Sequence, residues 1–215
     1  MSKKKYQVIY SDPPWDYKGQ TKFLGKSQHS SAKHHYPTMT VPDMIEVFTP
    51  QIEEWADDDC LLYMWTSSPH LDQAITLGEA WGFDYKTIAF IWNKVLPNPG
   101  FYTMSDSEIC LIFKKKGGKI PKPRGARNIR QTFTTNVEDL ETMYLEQKRK
   151  EHSRKPMEFR HRIDQMFPEQ NKLEMFARTT LTGWDVFGNE TDKFEKAQTD
   201  MFNLIEEIEN EKPSN

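Results

Sequence analysis

An α/β domain with a mostly parallel sheet is the fold this sequence predicts, and three observations carry it. Apolar runs too short for helices, such as Cys60–Trp65 (CLLYMW), lack the polar alternation of a strand with one wet face. Between them lie stretches whose apolar residues recur at helical spacing. The two kinds alternate along the chain, which is the order of strand–helix–strand units. At 215 residues the chain suits one substantial domain.

Taken in order, Tyr6–Tyr10 (YQVIY) is the first strand, and it stops at Ser11-Asp12-Pro13-Pro14 because two prolines cannot continue a ladder. Residues 16–40 have no sustained periodicity, are rich in small, polar and basic residues, and read as a long loop, a length usually tied to function or disorder. A helix is expected from Val41, capped by Thr40, with Pro42 in its first turn and Met44, Ile45 and Phe48 on one face. The strand Cys60–Trp65 follows, preceded by Asp57-Asp58-Asp59 as a solvated turn. Ser68–Trp81 reads as a helix ended by Gly82. Tyr85–Trp92 and Glu108–Phe113 (EICLIF) are further strands. Pro156–Phe167 is a helix, with Pro at its start and Pro168 beyond its end. Leu173–Ala177 and Trp184–Phe187 are the last short strands. The domain is therefore expected to span 1–190. Residues 191–215 then form a C-terminal amphipathic helix, with Phe194, Ala197, Met201, Ile205 and Ile208 on one face, and a frayed tail.

Composition narrows the function class. The net charge of −3 excludes a polycation that binds nucleic acid over its whole surface, but a local basic stripe is enough to hold phosphates. Cys60 and Cys110 both sit in apolar runs, as buried small hydrophobes do, with no zinc spacing and no disulfide framework. The Lys-rich N-terminus lacks the apolar stretch of a signal peptide, and no long apolar run suits a membrane crossing. A soluble, cytoplasmic protein in a reducing compartment is expected.

The chemistry is concentrated in Asp12-Pro13-Pro14-Trp15, directly after a strand. The four residues match what methylating an exocyclic amine requires. The lone pair of an adenine amine is delocalised into the ring, so the nitrogen is planar and a poor nucleophile. Two acceptors that hold both amine hydrogens favour a tetrahedral nitrogen and aim its lone pair. Asp12 offers a carboxylate, and the Pro13 carbonyl offers a second acceptor on a backbone stiffened by Pro13 and Pro14. Trp15 offers a flat apolar face for a purine. Positive charge developing on nitrogen is stabilised by the same oriented acceptors. Standing by itself, the tetrapeptide has a turn as its competing reading, since Asp and Pro are common turn residues.

Its company decides between the two. YQVIYSDPPW, HYPTM at 35–39, HSRKP at 152–156, KLEMFAR at 172–178 and GWDVFGNE at 183–190 follow one another in an order that resembles the MT-A70 family of adenine-N6 methyltransferases. The likeness is greatest to its short bacterial and phage members. The resemblance implies a permuted Rossmann-like methyltransferase fold, with a parallel sheet flanked by helices and S-adenosyl-L-methionine as methyl donor. It implies a catalytic loop at Asp12–Trp15, with Asp12 also near the donor's amino group. Tyr36 would lie on a loop over the site, and Lys155, Arg178, Asn189 and Glu190 would bind the donor. Glu108 matches an acidic position near the substrate.

Lys114–Arg130 carries eight Lys or Arg and no acid, and its glycines and prolines make it a loop. Because it follows the strand with Glu108, contacts from Lys122, Arg124 and Arg127 to a nucleic-acid backbone are expected. His29, His34 and His35 lack an evident fourth ligand, so a substrate-facing loop is expected there and not a metal site. Trp65 and Trp92 end apolar strands and are expected to be core or pocket wall. The expected reaction is methyl transfer to adenine N6 in DNA. The same reaction on RNA and a non-catalytic nucleic-acid-binding subunit are the alternatives. A homodimer and a partner subunit both stay open.

Overall fold

The computed structural model describes residues 4–16, 38–100, 102–135, 155–177 and 180–188. Seven strands form one sheet in the order β5-β3-β4-β2-β1-β6-β7. They are β1 (Tyr6–Ser11), β2 (Ala56–Thr66), β3 (Phe83–Pro99), β4 (Met104–Lys115), β5 (Thr132–Thr134), β6 (Lys172–Met175) and β7 (Trp184–Phe187). The helices are α1 (Val41–Trp55), α2 (Leu71–Ala80) and α3 (Met157–Met166), with a 3-10 turn at Ser68–His70 before α2. The α/β expectation holds. Pairs β1–β2, β1–β6, β6–β7 and β3–β5 are parallel, while β4 is antiparallel to both β2 and β3. Six strands therefore run one way and β4 alone runs back.

The two faces of the sheet are buried by strand alternation. Ile9, Leu62, Met64, Leu111 and Phe113 point to the side covered by α1 and α2, where they meet Met44, Phe48, Ile52, Leu77 and Trp81. Val8, Tyr10, Tyr63, Trp65, Phe90 and Cys110 point to the other side, against Phe159, Ile163 and Phe167 of α3 and its end. Gly78 sets how closely α2 approaches, since a Cβ there would come within 2.4 Å of the Phe113 ring. α1 begins as its sequence implies: the Thr40 hydroxyl accepts from the Asp43 amide at 3.3 Å, and Pro42 needs no intrahelical donor. Gly82, at φ +87°, turns the chain out of α2.

Two readings are corrected, at Asp57–Asp59 and at Ser68, and two features are added. Asp57–Asp59 belong to β2, not to a turn: the register slips between Tyr6↔Ala56 and Val8↔Leu61, and this bulge accommodates the three acids. β3 and β4 form a hairpin, because the segment between Trp92 and Glu108 is too short for a helical crossover and carries the turn sequence Pro-Asn-Pro-Gly. β5, only three residues long, has no sequence pattern of its own. The first turn of the helix expected at Ser68 is 3-10. The C-terminal helix expected over 191–215 lies outside the described residues. Among the described residues, no helix is long and apolar enough to cross a membrane.

Cys60 and Cys110 are fully buried. Burial pushes both thiols well above their ordinary range, and the Asp12 charge adds to the effect at Cys110. Neither is expected to react with iodoacetamide in the native protein under conditions that alkylate both after denaturation. Mass spectrometry of intact protein checks this.

Candidate active site

Because only β4 runs backwards, the carboxyl ends of β1 and β2, the distal part of β3 and the start of β4 share one edge of the sheet. In open α/β sheets this is the edge where ligands bind. Asp12 leaves it at the end of β1. Glu108 reaches it because β4 enters there, one residue before the Thr66↔Ile109 pair and opposite Trp92. Lys155 reaches it just ahead of α3, on a residue held extended by the following Pro156. Phe159 packs edge-on against Trp65 with centroids 4.8 Å apart, and Arg160 pairs with Glu174 of β6 at 3.1 Å in a buried ion pair. Together these contacts fix α3, and with it Lys155.

The three motif residues, 143 positions apart at the extremes, meet in one charge network. Lys155 Nζ lies 2.7 Å from Asp12 Oδ2 and 3.1 Å from Glu108 Oε2. The second Glu108 oxygen lies 2.7 Å from Lys94 Nζ on β3. The Lys155 ammonium also stands 5.5 Å from the centre of the Trp65 ring. The Lys155 side chain is only 5% exposed, whereas Asp12 retains 26%, so the network opens to solvent at Asp12. Burial alone would lower the Lys155 pKa, but Asp12 and Glu108 outweigh it and hold the ammonium above its ordinary value. Burial alone would raise Glu108, but Lys155 and Lys94 outweigh it and hold the carboxyl below its ordinary value.

The Asp12–Trp15 loop is tied down residue by residue. The Pro13 carbonyl accepts from the Trp15 amide at 2.9 Å, which leaves its second lone pair as the further acceptor expected from sequence. The Pro14 carbonyl accepts from the Met39 amide at 2.9 Å, and Trp15 and Met39 form an isolated parallel bridge. Trp15 itself departs from expectation. Its ring, 4% exposed, is turned into the core instead of being offered to a purine. The physical reason is that the indole N–H finds the Trp65 carbonyl at 3.1 Å, and the ring stacks on His70 with centroids 5.7 Å apart. His70 is held in turn by the Ser67 hydroxyl, 2.9 Å from Nδ1, and burial lowers its pKa. Trp15 therefore anchors the loop. Trp15→Phe is expected to leave the Trp65 carbonyl without its donor and to cost about 1–3 kcal/mol, read by denaturant unfolding.

The basic loop does not join this site. β4 carries Glu108 at one end and Lys114 at the other, so the chain beyond it emerges at the opposite edge. There Gly125 and Ala126 donate to the carbonyls of Met166 and Gln165, and Gln170 donates to the Pro123 carbonyl. Lys122, Arg124 and Arg127 thus lie beside the C-terminal end of α3, where positive charge suits the helix dipole. The ten residues of α3, about 15 Å of helix, separate them from Lys155. A cavity of about 500 Å³ under this loop, walled by Leu61, Tyr63, Phe90, Ile112 and Phe167, is likewise removed from Asp12. Any contact these basic residues make with a substrate falls well away from the reacting base. Tyr36, Arg178, Asn189, Glu190 and the three loop histidines lie outside the described residues. Trp65 and Trp92 are core, as expected. Among the described residues no cluster suited to a metal ion occurs. Lys94 was missed by sequence reading, and its signal would have been the hairpin that sets it near Glu108.

The MT-A70 family model matches residues 6–190, which is most of the chain and includes every strand. This chain belongs to the MT-A70 family. Among its relatives, the Type II methyltransferase M.MunI of a Mycoplasma species is 44% identical over 202 residues, covering 88% of this chain and 79% of the relative. A putative N(6)-adenosine-methyltransferase MT-A70-like protein of Medicago truncatula is 26% identical, over 86% of this chain and 26% of the relative. The N(6)-adenosine-methyltransferase subunit METTL3 of Danio rerio is 23% identical, over 87% of this chain and 28% of the relative. The chain thus spans most of the bacterial protein and about a quarter of the plant and fish proteins. MT-A70 membership and the bacterial relative make it a methyltransferase, with the Asp12–Trp15 loop leaving the first strand of the sheet.

Proposed function

We propose that this protein transfers a methyl group from S-adenosyl-L-methionine to the N6 amine of adenine in DNA. The observation that carries the reading is the meeting of Asp12, in an intact Asp-Pro-Pro-Trp loop, with Lys155 and Glu108 at the carboxyl edge of the sheet. The described residues suit the donor's amino-acid end: a carboxylate at Asp12 for its ammonium and an ammonium at Lys155 for its carboxylate. When bound, the donor supplies an electrophilic methyl on a sulfonium. The chain's part is to aim the nucleophile. Asp12 and the Pro13 carbonyl accept the two amine hydrogens, draw the nitrogen toward a tetrahedral geometry and stabilise the positive charge that grows on it. The methylated nitrogen is then strongly acidic and releases its proton without a strong base. Arg178, Asn189 and Glu190 would complete the donor site, and Tyr36 would face the substrate.

DNA is preferred over RNA because the relative matched over 79% of its length is a Type II methyltransferase, a class that acts on DNA. The N(6)-adenosine relatives are matched over about a quarter of theirs. The absence of any loss in Asp12–Trp15 or at Lys155 argues against a non-catalytic subunit.

The test is methyl transfer from labelled S-adenosyl-L-methionine to unmethylated DNA and to RNA side by side, followed by nucleoside analysis. N6-methyldeoxyadenosine that vanishes with Asp12→Ala supports the reading. Label found only in RNA replaces it with the RNA alternative. No transfer despite donor binding would mean that the chain acts only with a partner subunit, and no donor binding at all would leave a nucleic-acid-binding module.

A further inference from the structure

The β3–β4 hairpin continues past the sheet to which it belongs. β2 ends its pairing with β4 at Thr66↔Ile109, and β5 ends its pairing with β3 at Asn93↔Thr134. Beyond these points, among the described residues, the two strands pair with each other alone, through Asn98↔Ser105 and Pro99↔Met104, with a register shift between Asn93 and Asn98. From Glu108 to Met104 the arm covers four residues, about 13 Å of extended chain. It leaves from the same edge as Asp12. Its root is braced by the Lys94–Glu108 ion pair at 2.7 Å, and Glu108 also contacts the Lys155 that holds Asp12.

The tip is unusual in chemistry as well as in reach. Hairpin ends normally present polar turn residues. This one presents Tyr102 at 94% and Met104 at 57% exposure, the two most exposed large apolar side chains among the described residues. Tyr102 is held at φ +66°, a left-handed conformation that a bulky residue seldom adopts.

A methyltransferase acting on paired adenine must first extrude the base. That costs a few kcal/mol of stacking and leaves a gap in the duplex. Apolar and aromatic wedges are what proteins insert into such gaps. An arm of about 13 Å exceeds the roughly 8 Å depth of either groove of B-form DNA. We propose that the β3–β4 tip enters duplex DNA beside the target adenine, with Tyr102 and Met104 filling the space that the extruded base vacates. This rests on the DNA-adenine reading above.

The test uses the full chain and a duplex carrying the methylation site mapped by sequencing, with 2-aminopurine at the target position. With S-adenosylhomocysteine present, the wild-type protein is expected to raise 2-aminopurine fluorescence. The Tyr102→Ala/Met104→Ala double variant should bind the same duplex yet give little rise, and Tyr102→Phe should restore most of it. On normal duplex the double variant should lose roughly 10- to 100-fold in kcat/KM, the effect of removing a stacking contact. It should lose less than about 3-fold when the target adenine faces an abasic site and is already unpaired, so that extrusion costs less. The variant should still unfold cooperatively, since both side chains are exposed. An equal loss on the two substrates, no loss on either, or an unchanged fluorescence rise would overturn the proposal. A change of oligomeric state in the variant would overturn it too, by making the tip a protein interface. If the wild-type protein methylates no DNA, the functional reading itself falls, and that result precedes any variant.

Discussion

Asp12→Asn is expected to lower kcat for methyl transfer by roughly 10²- to 10³-fold, the usual effect of removing one oriented group that stabilises transition-state charge. Asparagine keeps the shape and one acceptor oxygen, so affinity for nucleic acid should change little. The charge is lost, however, and with it the 2.7 Å partner of Lys155. Positive charge then grows on the target nitrogen beside an ammonium that Asp12 no longer balances, so both effects act on the same step. Single-turnover kinetics with saturating DNA and donor separates this from binding. A variant with weakened DNA affinity and an unchanged single-turnover rate would place Asp12 outside the chemistry.

Lys155→Met is expected to damage fold and activity together. Removing the ammonium leaves two carboxylates facing the space it filled, at a site where Lys155 is 5% exposed and Glu108 17%. Breaking a buried pair in this way costs about 3–5 kcal/mol. The pH dependence gives the sign. Glu108 has a folded pKa below its ordinary 4.5, so its contribution is present above about that pH and is lost as pH falls through the depressed value. Lys155 has a folded pKa above its ordinary 10.5, so its contribution is complete below that pH and is lost as pH rises through the raised value. The network therefore stabilises across the whole neutral range. In Lys155→Met, Glu108 keeps only Lys94, its folded pKa rises, and the acid unfolding transition should move to higher pH. Urea unfolding at a series of pH values measures both the loss and the shift.

The parts legible in the sequence were those where local chemistry dictates the outcome. Two prolines after YQVIY end β1 wherever the chain goes next, so Asp12 could be placed at a strand end from residues alone. Thr40 and Pro42 start α1 for equally local reasons. Lys155 and Glu108 came from resemblance, and nothing within HSRKP or SDSEICLIF says that they touch. That contact exists because β4 runs against its neighbours and α3 starts where β4 enters, a property of the topology. Lys94 was hidden for the same cause: without the pairing of β3 with β4, the residues opposite Glu108 were unknown. That the basic loop emerges at the edge opposite Glu108 likewise follows from the direction of β4, which the residues of the loop do not reveal. Trp15 misled differently, since an indole after two prolines serves a ligand or a core equally well. The deciding partner is a backbone carbonyl 50 residues away.

The bridge between Trp15 and Met39 has a consequence for how this enzyme could be re-tooled. On either side of residues 17–37 the chain is joined by the Pro14–Met39 hydrogen bond of 2.9 Å and anchored by two side chains sunk in the core, Trp15 and Met39. Whatever occupies that interval is grafted onto a fixed stem. Lengthening it twofold adds only about 0.6 kcal/mol of closure entropy, and Asp12, upstream of the stem, stays where β1 leaves it. The position of Asp12 is therefore set by β1 and by this stem, and an exchange of the interval between homologues reads out what residues 17–37 themselves contribute.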